Sequence, residues 1–423
     1  MIIPLPPLAA YRKDVAHLDS VQASAAQLDD NLTRWLAFAS ILETLTTTWN
    51  HPGDVSALRA QLLTASETIL STNPGASTLH PAADVESAAT QGSLGAIELA
   101  QLTRRVADVA EKGGALWLAT SMLSTLERIE GELPALEIGR MLAQRARTAR
   151  KADAADIAEL LYKRVAKLGR VSAEPELIAR AAIGFGVLAQ MRGNLPAAAR
   201  HFKKASRVAT RGSYADLIWL AEHGQMVIAA RRGAFADALR HGWAAFAATN
   251  GDRESESEML LNLAQLAFDT GHPRAALHGF AAALERGTGT RLRLPALGGA
   301  ARAAAALGRR DVLHWCADQL DEATPVGSFA YLTASALLDL SLAFASIEPA
   351  RAQIVSERAL GLAERFGFHE LAHHLTTLQA DLERRMTPAK CAAPTLVAVG
   401  AQGEEILQYI EQLEGELLTA TAG

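Results

Sequence analysis

Four glycines punctuate the chain at nearly equal intervals: Gly193, Gly233, Gly271 and Gly308, spaced by 40, 38 and 37 residues. Each stands between an apolar-periodic segment of helical period and a second such segment rich in small residues. Extending the interval reaches turn-like positions near Asp153 and Glu348 and a fainter one at Gly113, which makes six units and room for a seventh. A period of this length means that one supersecondary unit is copied along the chain, and that each copy buries its apolar face only against its neighbours.

The composition says which unit this is. Aromatic residues are 5% of 423 residues, while alanine, leucine, glutamate and arginine abound. Those are strong helix formers, and small side chains serve close helix packing better than they fill a β-sheet core. The repeated unit is therefore a helical hairpin, and the expected class is all-α.

The clearest copy, residues 182–206, reads AIGFGVLAQMRGNLPAAARHFKKAS. Gly186 supplies a small residue in the first helix, Gly193 the turn, and Ala198, Phe202 and Ala205 a small-large-small pattern in the second. The next copies place Gly233, Ala238 and Ala245, then Gly271, Ala276, Phe280 and Ala283, at the same points. This pattern resembles the tetratricopeptide repeat, over roughly residues 94–386. The family's period is about 34 residues, so 37 to 40 requires longer helices or loops.

The resemblance implies a right-handed α-solenoid whose ligand lies in a groove lined by the first helix of each unit. Transferring the groove positions unit by unit points to Arg180 and Gln190, His223 and Arg231, Asn262 and Gln265, and Arg302. These do not reproduce the Lys and Asn arrangement with which some family members clamp a C-terminal carboxylate.

Around the repeats four regions are expected: an N-terminal helical bundle or capping repeats over 1–90, the solenoid over 91–386, a linker over 387–402, and an acidic amphipathic helix over 403–423. Upstream helices are read at 9–28, 31–47 and 53–72, separated at Asp29-Asp30 and at Asn50-His51-Pro52-Gly53. In the last helix Ile406, Ile410, Leu413 and Leu417 form one stripe, with Glu404, Glu405, Glu411, Glu414 and Glu416 around it. Two readings stand for it: a cap, or a tethered ligand for the basic or concave surface of the solenoid.

One stretch points elsewhere. Phe368–Leu375, FHELAHHL, contains H-E-x-x-H, which on a helix places His369 and His373 on one face to hold zinc while Glu370 activates water. A third ligand is needed, and Glu383, ten residues past His373 on the same helix, lies about 15 Å away along the axis and could not close the site. Glu404 and Glu405 follow only across the linker. No run alternates with period two to give the substrate-binding strand such enzymes use. The segment is read as a solenoid-capping helix, and no cofactor is expected.

Charge is distributed unevenly. The total is −5, yet residues 140–211 hold sixteen Lys plus Arg against five Asp plus Glu. Arg200, Lys204, Arg207 and Arg211 recur at helical spacing as a basic stripe. It is either a solvated face or a site for an acidic protein segment; nucleic acid ranks third, since stacking aromatics are scarce there.

Cys316 and Cys391 are too few for a disulfide framework, the start MIIPLPPLAAYRK lacks a basic n-region, and the longest uncharged runs fall short of the ~20 residues that span a bilayer. A cytoplasmic protein without a membrane span is expected. No P-loop or dinucleotide fingerprint is present, and Gly298-Gly299 lies inside a helical segment. The residues thus read as a non-enzymatic adaptor for a protein or peptide. The alternatives are a regulatory receptor similar to bacterial peptide-pheromone receptors and, less favoured, a zinc metallopeptidase.

Overall fold

The computed structural model describes residues 25–49, 56–71, 95–113, 115–287, 289–322, 330–384 and 395–413. Among them the only regular elements are helices. Two open the chain, α1 (Ala25–Thr48) and α2 (Ser56–Ser71). Seven hairpins follow: α3 (Ala96–Lys112) with α4 (Leu116–Thr125), α5 (Ala135–Lys151) with α6 (Ala155–Val171), α7 (Pro175–Met191) with α8 (Leu195–Arg211), and α9 (Ala215–Arg231) with α10 (Phe235–Ala247). The last three are α11 (Arg253–Asp269) with α12 (Pro273–Arg286), α13 (Thr290–Ala306) with α14 (Arg310–Glu322), and α15 (Ala330–Ala345) with α16 (Pro349–Arg365). Two single helices remain, α17 (His369–Glu383) and α18 (Gly400–Glu411).

The long period has a simple origin. Helices α5 to α9 each run 17 residues and are joined by three-residue turns. The helices are long and the loops stay short. Each turn is closed the same way: the N–H three residues past the helix end reaches back five positions, as from Ala154 to Ala149 O, Asn194 to Ala189 O, Ala234 to Ala229 O and His272 to Ala267 O, all at 2.9–3.0 Å. This closure needs a residue in the left-handed region. Asp153, Ala173, Gly193, Ser213 and Gly233 occupy it at intervals of twenty residues, so the true step is one helix, half the period that the glycines display.

Small residues set how closely helices approach. A methyl group on Gly186 would sit 2.8–2.9 Å from the Phe202 ring, so Phe202 of α8 fills the space above α7 within its own hairpin. Phe280, at the equivalent point of α12, instead lies against Gly299 of the following hairpin. Gly298 beside it faces Ala336 and Asp339 of α15. The glycine pair thus lets α13 be flanked closely on both sides.

The helix expected to break at Asp29-Asp30 instead runs unbroken from Ala25. Two aspartates cost only about 1 kcal/mol of intrinsic helix preference together, which the packing of Trp35, Phe38 and Leu42 outweighs. These residues share one core with Leu62, Ile69, Leu99 and Leu118, so α1 and α2 are built into the packing of the first hairpin. The segments 9–24 and 414–419 of the expected helices lie outside the described residues.

The chain divides into two compact units, Met1–Leu217 and Ile218–Gly423. Within each, first helices pack on their hairpin mates, as α5 on α6 and α11 on α12, and on the next first helix, as α5 on α7 and α13 on α15, while second helices such as α6 and α12 pack on the first helix that follows. No described helix is long and apolar enough to cross a membrane.

Candidate functional site: first-helix faces, basic stripe and C-terminal helices

Charges along the first helices of unit one are arranged as a ladder. Arg104 of α3 donates to Glu137 of α5 at 3.1 Å; Arg140 of α5 pairs with Glu137 at 2.8 Å and with Glu176 of α7; Arg180 of α7 pairs with Glu176 and with Asp216 of α9, both at 2.8 Å. A second set joins Arg147 and Lys151 of α5 to Glu111 of α3 at 2.9 and 2.8 Å. Opposite charges one repeat apart therefore tie each first helix to the next. Burial would raise the Glu111 and Glu176 carboxyls, but the adjacent arginines and Lys151 outweigh it and hold each at about 2.

This places Arg180 in a clamp between repeats. The other groove positions divide. Arg302 stacks 4.6 Å over the Phe268 ring and faces Asp339 at 3.5 Å; Gln265 donates to Asp269 at 2.8 Å; Asn262 donates to the Glu258 carbonyl of its own helix at 2.7 Å. His223 stacks on Trp219, and burial first, then the Arg291 charge, hold it below its usual value against the pull of Glu258. Gln190 is half-buried and Arg231 exposed. The residues that sequence reasoning missed are the partners: Glu176, Asp216, Phe268 and Asp339. Opposite charges 36 or 37 residues apart were the available signal.

The basic stripe is different in kind. Arg200, Lys204, Arg207 and Arg211 are all exposed on α8, with Lys203 beside them, and have no acidic partner among the described residues. Their field is felt locally: burial, then Lys204 and Arg200, hold His201 below its usual value. The local excess of sixteen cations thus separates into arginines consumed between helices, such as Arg140, Arg145, Arg147, Arg164 and Arg180, and a row that faces outward.

FHELAHHL opens α17. Leu371, Leu375 and Leu378 are buried, and α17 packs on α16 and α15. His369, Glu370 and His373 are exposed on the other side. Among the described residues no group of three or more His, Cys, Asp or Glu is suited to hold one metal ion. Burial pushes the Cys316 thiol up to about 12, which keeps it protonated; Cys391 lies outside the described residues.

The described part of α18 packs on α10 and α12, second helices of unit two. Apolar area explains the choice: Ile406, Leu407 and Ile410 are buried there, whereas Glu404 and Glu405 remain exposed.

No family model matches the chain. No curated protein matches it either. Among solved structures, a Rap protein complexed with competence and sporulation factor is similar over 85% of this chain and 98% of that one, with 12% identity and a TM-score of 0.45. A circular tandem repeat protein with novel repeat topology and enhanced subunit contact surfaces aligns over 90% of this chain and 97% of that one, with 14% identity and a TM-score of 0.16.

Proposed function

We propose that this chain is a non-enzymatic interaction scaffold, an adaptor that binds an acidic segment of a protein or peptide partner along α8. One observation carries the reading. Arginines between the helices of unit one are neutralised by carboxylates, yet Arg200, Lys203, Lys204, Arg207 and Arg211 stand exposed on a single helix without an acidic partner among the described residues. Such a row raises the local concentration of acidic ligands and gives its best return against a segment of opposite sign. A stack of rigid hairpins suits an extended or helical ligand better than a small substrate.

The test is charge reversal. Arg200→Glu, Lys204→Glu and Arg207→Glu together alter only exposed side chains, so helix content is expected to stay unchanged. A partner recovered from the native extract should cross-link to α8 peptides, weaken between about 0.1 and 0.5 M salt, and vanish with the triple variant. A stoichiometric partner that survives the reversal and the salt would overturn the α8 assignment.

A second reading, a regulatory receptor for a peptide, is favoured by the first helices of unit two. There the Trp219–His223 stack, Asn262 and the Phe268–Arg302 stack supply mixed aromatic and polar groups, the chemistry a peptide groove needs. Compaction of the chain on adding a cognate peptide, with the α8 reversal variant responding equally, would favour this reading over the first.

A further inference from the structure

α18 does not stay with its neighbours in sequence. α17 closes on α16, whereas α18 reaches back to α10 and α12, the second helices of two much earlier hairpins. Tyr409 meets Trp243 edge-on, with ring centroids 4.7 Å apart, and a methyl group on Gly279 would lie 3.1 Å from Ile410. Polar ties are few: Val397 N–H donates to Thr270 O at 3.0 Å, and His278 Nδ1 lies 3.1 Å from Leu413 O.

The seat is particular to these two hairpins. Lys163, Lys203 and Trp243 stand forty residues apart, at one point of three successive second helices. The first two are exposed cations, and the third is the ring that receives Tyr409. At the next turn Ser206 is replaced by Phe246, which, like Leu413, packs against the buried cluster of Leu260, Ala282 and Ala283. α10 and α12 are also 13 and 14 residues long against 17 for α6 and α8. A face that is solvated elsewhere in the repeat is here apolar, short and floored by glycine, which is how a groove accepts a helix through i, i+1 and i+4 anchors.

We propose that the α10–α12 face is a docking groove for an amphipathic helix of a protein partner, and that α18 is its resident occupant, displaced when the partner binds. The occupant defines the partner's chemistry: Ile-Leu-x-x-Ile with an aromatic residue before the last isoleucine. The groove is separate from α8, so it stands or falls independently of the acidic ligand proposed for that helix.

The test uses the full chain with a specific protease site inserted between residues 387 and 392, which leaves seat and helix unaltered, and a fluorescent peptide of residues 395–413 as probe. After cleavage the labelled peptide should enter at one per chain. The uncut chain should take it up at least about tenfold more weakly, because tethered α18 competes at an effective concentration in the millimolar range. Trp243→Lys, which copies the register of Lys163 and Lys203, should abolish uptake with the helical circular dichroism unchanged. Failure of the probe to enter the cut protein, unfolding once the severed helix leaves, or equal uptake by the Trp243→Lys chain would each overturn the proposal. Formation of dimers by the uncut chain would overturn it too, since the occupant would then be a second copy.

Discussion

The Arg140 guanidinium meets the Glu176 carboxylate through two parallel bonds, Nε to Oε1 at 2.8 Å and Nη2 to Oε2 at 2.7 Å. This fork joins α5 to α7, and Glu176 is only 7% exposed. Glu176→Gln keeps the shape and removes the charge, leaving Arg140 and Arg180 facing each other across a neutral amide. The expected cost is about 3 kcal/mol, as for a buried pair that loses one member. Urea unfolding followed by circular dichroism measures it; a loss below about 0.5 kcal/mol would mean that water solvates the ladder.

Acid should dismantle the same ladder. The carboxyls of Glu111 and Glu176 sit at about 2 in the folded chain against an ordinary value of 4.5. A depressed folded value contributes stability that is complete above 4.5 and is lost as pH falls from there toward 2. Each group carries about 3 kcal/mol at most. Urea midpoints at pH 6, 4 and 3 should fall steeply for the natural chain and less steeply for Glu111→Gln and Glu176→Gln.

Asp339 is expected to do the opposite in unit two. Burial pushes its carboxyl up to about 6, against the pull of Arg302 and with a further push from Asp269. A raised folded value gives stability that is complete below the ordinary 3.8 and is lost as pH rises through 6. Asp339→Asn stays neutral throughout, so relative to the natural chain it should gain about 1–3 kcal/mol between pH 4 and pH 7. Melting curves of both chains at the two pH values decide it. A difference that does not grow with pH would show that the Arg302 pairing offsets the burial.

The hairpin array was legible because Gly193, Gly233, Gly271 and Gly308 mark it with a residue type that stands out from an alanine-rich background. The turns between hairpins were not, because Ala173 and Ser213 hold the same backbone conformation without a telling side chain. The basic stripe could be read from helical spacing alone. Whether each arginine is spent could not, since Arg180 and Arg207 look alike until the next repeat supplies Asp216 to one and leaves the other outward. The docking of α18 was illegible for a related reason: acidity suggested a basic surface, but buried isoleucines chose the apolar one.

These silent turns give the last prediction. Ala173 lies at φ 55° and Gly193 at φ 73°, in the same hydrogen-bonded closure one helix apart. A non-glycine residue in this region is strained by about 1–2 kcal/mol, and glycine returns part of that as extra freedom in the unfolded chain. Ala173 is exposed, so Ala173→Gly removes strain without losing packing and should stabilise unit one by about 0.5–1 kcal/mol. Gly193→Ala should cost about the same or somewhat more; a methyl group there meets nothing within 4 Å, so the change is purely conformational. Urea unfolding of the two variants therefore tests one mechanism through opposite signs. If both destabilise, strain at Ala173 is absent, and the closing bond from Glu174 N–H to Gly169 O, not the choice of turn residue, holds the half-period of the repeat.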